Sequence, residues 1–528
     1  SKEGWVSALR TLLDTLRSDS PHPNLRRIVL NYNSVRPQGE RLNTFGGRAS
    51  GPEALRQILA KVAKVVRASS GQLNTVDVLD ICNVIGEGVV CGGVRRTSQI
   101  GIGSPGDRDF LKAKADGWYN DPDLGHRSMS NNSIMFEERP DYPEFAALME
   151  RVRRSDNGEP GILNAGAARQ RRPGFDGVNP CGEVLLSDCG MCNLSTVNVK
   201  AHVEDGFLDH TGLMNSIRLA TRVGLRMTNV DMSLPRWNAT QKRDRLIGVS
   251  MTGWMDALDS FEGGDVVSRL GDGVSYGESP TQLLSSMRRE ATEEAAEYAA
   301  EMRVPVPLLV TTVKPEGSLS QLPSVSSGVH RPWAPYFVRR VRISAADPLA
   351  RTMLYMDYPI YPEVGQWDSG ESDPWAALGK FRAMNPAGKQ AALSQASTWV
   401  VEFPQKSEAS VTSQEEPAVE QLRRYFNFQR SYTQHNTSIS VYVGDDEWED
   451  VARMVWQNWN DFVGISFLPK DQTAYALAPN EEITEDEYLR RMAETTPFDR
   501  EFLDAVEKAE WQEELIGDEC ATGACPIR

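Results

Sequence analysis

Apolar and polar positions along the chain fall into blocks that switch between helical and strand spacing. Trp5 to Leu16 carries the helical period and is expected as an amphipathic helix, and Arg27 to Tyr32, with Ile28, Val29 and Leu30, as a short strand. The Gly-rich stretch Thr44 to Pro52 predicts a turn, with Pro52 in the first turn of a helix to about Ala68. A second helix, about Thr75 to Val90, should end at Cys91-Gly92-Gly93-Val94-Arg95-Arg96-Thr97. Paired glycines cap a helix and let the chain turn sharply, which presents Arg95 and Arg96 on a loop. Further helices are expected over Thr211 to Met227, Gln241 to Leu258 and Glu278 to Arg303.

Val304 to Thr312 reads as an apolar strand feeding the turn Lys314-Pro315-Glu316-Gly317-Ser318-Leu319-Ser320, whose N–H groups and hydroxyls suit an anion. Residues 365–395 read as irregular connection. Thr437 to Val443 is expected as a strand, Asp445 to Phe462 as a helix, Gly464 to Leu468 as a strand and Pro497 to Leu515 as a last helix. Alternating strands and helices without a Gly-x-Gly-x-x-Gly opening fit an α/β barrel over residues 1–496, followed by a helix and redox tail over 497–528.

Charge narrows the function classes. The chain has 528 residues and a formal charge of −16, which argues against electrostatic binding to nucleic acid or an anionic membrane. An anionic small substrate would need a local positive pocket inside that acidic shell. No apolar run approaches the roughly 18 residues of a spanning helix, and no signal-peptide pattern opens the chain. Seven cysteines, odd in number and partly clustered, point to reduced thiols used for chemistry in a cytoplasm.

Two clusters carry that chemistry. Asn179-Pro180-Cys181-Gly182-Glu183 places an amide, a thiol and a carboxylate at alternate positions, so in an extended segment all three project to one face. Cys192 follows after apolar Val184-Leu185-Leu186, with Cys189 between. A free cysteine is more often buried and inert, but the flanking Asn and Glu and the second thiol weigh against that here. The second cluster is Cys520-Ala521-Thr522-Gly523-Ala524-Cys525, close to the C-terminus. Without a second Cys/His pair it makes a poor zinc half-site and a good redox shuttle, and no metal ligand set is expected elsewhere. From Trp511 to Cys520 the extended reach is on the order of 30 Å, against a radius of gyration of roughly 24 Å for a globule of this length. The tail can therefore reach a buried site.

Asn-Pro-Cys-Gly-Glu followed by Cys-Asn-Leu resembles the active-site segment of ribonucleotide reductases, above all the monomeric adenosylcobalamin-dependent (class II) ribonucleoside-triphosphate reductases. The resemblance implies a ten-stranded α/β barrel of the ribonucleotide reductase/glycyl-radical type, here with its N-terminal part incomplete. It implies that Cys181 carries a thiyl radical, Glu183 is the base on the 3′-hydroxyl and Asn179 orients the substrate. Cys192 matches one of the two reducing thiols, and Cys520 and Cys525 the pair that exchanges with a thioredoxin-like reductant. Substrate phosphates belong at Glu316, Gly317 and Ser318, with Ser324 to His330 and then Arg339, Arg340 and Arg342 matching the continuation. Gly92, Gly93, Arg95 and Arg96 match a loop between substrate and nucleotide effector, and Arg127 to Ser133 a segment near the substrate. There is no Tyr-Tyr pair for a separate radical subunit and no glycyl-radical zinc cysteine set, which leaves adenosylcobalamin as the cofactor. No Asp-x-His-x-x-Gly motif is present, and no residue is assigned to cobalamin contact.

Two features depart from the family pattern. Its other reducing cysteine lies on an early barrel strand ahead of the point matching Ser1, and Cys82 and Cys91 do not match it. Cys189 is additional, read as idle rather than as half of a local disulfide. The expectation is therefore a second polypeptide carrying the N-terminal reductase region, joined or assembled with this one. A serine at the junction also suits trans-splicing in a phage-encoded gene, which would place the protein in a host cytoplasm. Two other functions compete: a non-catalytic nucleotide- or partner-binding remnant, and a dithiol oxidoreductase using the tail with Cys189 and Cys192.

Overall fold

The structure, a computed structural model, describes all residues except 18–28, 39, 41–48, 70–71, 92–93, 96, 116, 119–120, 122, 156, 262–263, 272, 346, 365, 372, 397, 408, 410, 471–476, 478–479 and 509–528. Helix α1 (Lys2–Leu16) starts where the Ser1 hydroxyl accepts the Gly4 N–H. Helix α2 (Pro52–Ala68) has proline in its first turn, as expected. Helix α3 (Thr75–Gly88) opens on a reciprocal cap between Asn74 and Asp77 and stops short of the expected Val90. The three pack around Leu12, Ile58, Leu59, Val62 and Val84. Residues 29–32 form no strand, and the rest of the strand expected there lies outside the described residues.

The middle of the chain builds a curved sheet. Strands β1 (Gln99–Gly103), β2 (Ser130–Phe136) and β3 (Gly161–Asn164) run parallel. Strand β4 (Leu194–Asn198) is parallel to β5 (Gly248–Thr252). The helix expected over Gln241 to Leu258 is instead the end of a helix (Pro235–Asp244), strand β5 and a short helix (Trp254–Leu258). Every residue of β5 is buried, and a short segment buried on both faces shows no alternation that would mark it as a strand. Gly248 is needed there: a Cβ would lie 2.4 Å from Leu194 Cδ2.

A separate antiparallel sheet follows. Strand β6 (Tyr336–Ser344) pairs with β8 (Thr398–Lys406), which also takes the short β7 (Ile360–Pro362). The stretch expected to be irregular contains two helices, Pro374–Ala383 and Pro386–Gln395. Asp373-Pro374 and Asn385-Pro386 each supply an N-cap followed by a first-turn proline. Strand β9 (Ser440–Val443) is parallel to β10 (Gly464–Pro469), and β10 is antiparallel to β3. Strand β11 (Asn480–Glu482) then adds to the free edge of β6.

Single parallel bridges join Val249 to Thr311 and Val313 to Thr437. Residues 309–313 thus lie between β5 and β9, joined by these single bridges and not as the full strand expected over Val304 to Thr312, and the pairings form one arc: β1-β2-β3-β10-β9-(309–313)-β5-β4. The first three run one way and the remainder the other. Among the described residues β1 and β4 are paired on one side only. A cavity of about 530 Å³ lies between β1 and the chain entering β4, and its lining includes Asn179, Cys192 and Cys82. Helices His210–Met227 and Pro280–Met302 cover the β4–β5 end with a core of Leu213, Ile217, Leu283 and Met287. No helix among the described residues is long and apolar enough to cross a membrane.

Candidate active site

The Asn179–Glu183 segment is a tight turn, not the extended run that the alternation implied. It joins two short antiparallel strands, Gly177–Val178 and Leu185–Leu186. The Gly182 N–H donates to Asn179 O at 2.7 Å, and the Val184 N–H to Asn179 Oδ1 at 2.8 Å. Gly182 has φ +77° with no heavy atom within 4 Å of a would-be Cβ, so backbone conformation alone calls for glycine there. Cys181 is left exposed at the turn's tip. Turn and strand register still bring the predicted set together: the Asn179 Nδ2 donates to Cys192 Sγ at 3.6 Å.

Four residues from other parts of the arc hold this turn. Ser438 Oγ donates to Cys181 O at 2.6 Å, and Asn436 Nδ2 to Gly182 O at 2.8 Å. Thr312 Oγ1 donates to Glu183 O at 2.7 Å, joined there by the Asn436 N–H at 3.1 Å. Asn131 Nδ2 donates to Pro180 O at 3.0 Å. Beneath the turn, His435 accepts the Leu185 N–H on Nδ1 at 3.2 Å, so its Nε2 is the donor to Ile247 O at 3.0 Å. Burial holds that imidazole neutral, with a pKa down to about 3. Of these clamping residues only Asn131 lay in a stretch singled out from the sequence, Arg127 to Ser133. The run of polar residues from Thr433 to Ser438, just ahead of a strand, was the available signal, since buried polar side chains are kept for their partners.

The electrostatics suit proton and hydrogen-atom transfer more than thiolate chemistry. Cys181 is exposed by area, but its sulfur lies close enough to the protein that burial, with the Glu183 charge beside it, pushes the thiol up to about 11. Burial and the neighbouring Glu183 and Cys181 push the Cys192 thiol up further. Glu183 is buried, and burial raises its carboxyl despite hydrogen bonds from its own backbone and Asn179. Its Oε2 is buried without a hydrogen-bond partner. Lys314 opposes all three shifts and is the cation of the site. Its Nζ lies 3.3 Å from Glu316 Oε2.

The anion turn predicted at Glu316, Gly317 and Ser318 stands beside this centre. Glu316 adopts φ +57° and is buried, accepting from Thr196 Oγ1 at 2.5 Å. Arg339 Nη2 donates to Gly317 O at 2.8 Å. The neighbouring arginines are committed elsewhere: Arg340 is buried against Glu402 and Glu481, and Arg342 pairs with Glu363. Arg127 is likewise structural, with two donors on Asp80 and one on Ala113 O. Cys189 and Cys192 are both free thiols. Gly92, Gly93, Arg96, Cys520 and Cys525 lie outside the described residues; of that loop, only the backbone pairing of Val94–Arg95 with Val90–Cys91 is described.

Comparison with known proteins agrees with this geometry. Residues 147–262, which span the turn, match the family model for the ribonucleotide reductase barrel domain. Residues 1–66 match the insertion domain of B12-dependent ribonucleotide reductases. Both matched segments are domains of ribonucleotide reductases. The adenosylcobalamin-dependent ribonucleoside-triphosphate reductase of Lactobacillus acidophilus is 29% identical over 555 residues, covering 100% of this chain and 70% of that protein. That of Levilactobacillus brevis is 28% identical over 562 residues, covering 100% and 69%. A crystal structure of a B-12 dependent (class II) ribonucleotide reductase superposes with a TM-score of 0.71 at 24% identity, covering 96% of this chain and 69% of that one, a likeness of fold. Over its whole length the chain is thus similar to adenosylcobalamin-dependent ribonucleoside-triphosphate reductases.

Proposed function

We propose that the chain reduces ribonucleoside triphosphates to 2′-deoxyribonucleotides, supplying DNA precursors, with the Asn179–Val184 turn as its reactive centre. One observation carries this reading: a protonated thiol at an exposed turn tip, beside a buried carboxylate oxygen with no partner and a second thiol. Nucleophilic thiol enzymes lower a cysteine pKa; here it is raised, which keeps the S–H bond needed for hydrogen-atom exchange.

Each residue has a role in that chemistry. Cys181 gives up its hydrogen atom and then takes one from C3′ of the ribose, an exchange near balance because the S–H and C–H bonds are of similar strength. Glu183 Oε2 accepts the 3′-hydroxyl proton, and the raised pKa of its carboxyl makes it the stronger base. Asn179 fixes a substrate hydroxyl as well as Cys192. The 2′-oxygen leaves as water, and Cys192 with a second thiol supplies two electrons by closing a disulfide. Cys520 and Cys525 reopen that disulfide and are themselves reduced by a thioredoxin-like partner. A nucleotide effector acts through Gly92, Gly93, Arg95 and Arg96.

The residues present fit adenosylcobalamin in one respect: the reacting thiol is protonated and exposed at the turn's tip, where a carbon radical could take its hydrogen atom. When bound, the cofactor supplies a carbon-centred radical by cobalt–carbon homolysis. Cys181→Ala tests the reading, assayed beside the wild type with CTP, adenosylcobalamin and dithiothreitol. Both dCTP formation and substrate-dependent cob(II)alamin formation should disappear. Full turnover by this variant would sink the assignment, and the dithiol-oxidoreductase alternative predicts dithiol exchange that survives the change.

A further inference from the structure

Glu183 is the base of the proposed reaction, and a base must be strong yet unprotonated before it acts. Burial makes this carboxyl stronger but disfavours its charge, and its Oε2 has no hydrogen-bond donor to offset that. The fold brings a cation to it. Thr312 and Lys314 flank Val313, which is packed in the core and bridges to Thr437. In an extended run both side chains leave on the face opposite Val313, about 7 Å apart. Thr312 meets the reactive turn there, donating to Glu183 O at 2.7 Å. Lys314 stands beside it on that face with its side chain 23% exposed, so solvent screens its charge only in part. The ammonium is also tethered. The Lys314 backbone N–H donates to Ser250 Oγ at 2.9 Å and its Nζ to Glu316 Oε2 at 3.3 Å. Thr196, the register partner of Ser250 across β4 and β5, donates to Glu316 Oε1 at 2.5 Å. The Glu316 side chain is wholly buried, and a carboxylate repels phosphate, so holding Lys314 is the task its position fits.

We propose that Lys314, anchored by Glu316, is the counter-ion that keeps the Glu183 carboxylate charged until the 3′-hydroxyl proton passes to its Oε2. The assignment rests on the reductase reading above. Lys314 is a positioning residue in this scheme, since it acts through the base and not on the substrate. The titratable groups facing it are Cys181, Glu183 and Cys192 from the turn and Glu316 from its own segment. Strands β4 and β5 present neutral Thr196 and Ser250, and residues 436–438 present neutral Asn436 and Ser438. Both thiols stay protonated with or without Lys314, because burial and the Glu183 charge already push them up. Glu183 is therefore the group whose charge Lys314 decides.

The test is a pH titration of the Glu183 carboxyl by infrared difference spectroscopy on the 528-residue chain. The Glu183 band is the one missing from Glu183→Gln, and reading it needs neither cofactor nor turnover. Lys314→Met should move its midpoint up by about one pH unit, the low end for losing a nearby opposite charge. Lys314→Arg should keep the wild-type midpoint. Glu316→Gln removes the facing negative charge and frees the ammonium, so it should move the midpoint down. With CTP, adenosylcobalamin and dithiothreitol, kcat of Lys314→Met should fall about tenfold on the acid side, the same one pH unit. It should approach the wild type at higher pH, with KM for CTP unchanged. A loss equal at every pH, or a raised KM, would make Lys314 a structural residue or a substrate ligand and overturn the assignment. So would an unmoved Glu183 midpoint in Lys314→Met, or shifts of the same sign in Lys314→Met and Glu316→Gln. If Lys314→Met does not fold, a Glu316→Gln midpoint at or above that of the wild type overturns it. Wild type that shows the infrared shifts yet forms no dCTP would sink the reductase reading and leave the pairing of Lys314 with Glu183 standing.

Discussion

Asn436→Ala should loosen the reactive turn without touching any residue given a chemical role. The Asn436 amide donates to Gly182 O at 2.8 Å and Gly464 O at 3.2 Å, and accepts from the Tyr425 hydroxyl at 3.0 Å. Alanine removes all three, each worth roughly 1 kcal/mol net. It also strands the buried Tyr425 donor, a further cost of about 1–3 kcal/mol. The backbone bond from Asn436 to Glu183 O survives, so the total should be on the order of 4 kcal/mol. Urea unfolding followed by tryptophan fluorescence measures it, with Ser438→Ala as the companion. That change removes one bond at an exposed site and should cost about 1 kcal/mol or less. Because Asn436 grips the residue next to Cys181, its loss should also speed alkylation of Cys181 in the folded state. If Asn436→Ala costs no more than Ser438→Ala and alkylation is unchanged, the clamp described here is not what positions the thiol.

Two further outcomes follow from the electrostatics. Alkylation of Cys181 by iodoacetamide, followed by peptide mass spectrometry, should keep rising with pH up to about 11, because only the thiolate reacts. A plateau near 9 would show an ordinary exposed cysteine. Glu183→Gln should abolish reduction yet leave the protein at least as stable at neutral pH. The folded carboxyl is raised above its unfolded value, so its contribution is most favourable below about pH 4.3 and is lost as pH climbs through the folded pKa. Thermal unfolding of wild type and variant between pH 4 and 8 checks the sign, and a variant that loses stability steadily toward pH 8 relative to wild type would refute it.

Much of the chemistry could be read from residue identity and short spacing. Asn179, Cys181, Glu183 and Cys192 lie within one short stretch, so almost any compact local geometry brings them together. Helices with local caps were equally legible: Pro52, and Asn74 with Asp77, signal their own termini because their partners are three or four residues away. Where local pattern and burial parted, the reading failed. Strand β5 is buried on every side and lost its alternation, and the helices after Asp373 and Asn385 hid behind residues shared by caps and turns.

Only the tertiary structure made the stretch a site. The bond from Asn436 to Gly182 spans 254 residues of sequence, and that from Ser438 to Cys181 spans 257. No local pattern encodes such pairings; they exist because β9 and residues 309–313 close against the turn inside the arc. The same holds for Lys314 as the cation among two thiols and a carboxyl, and for Arg339 as an arginine without an acid beside it. Sequence determines which groups are available, but burial sets their charge state and long-range packing sets their partners. Both arise only once segments far apart in the chain share one desolvated space.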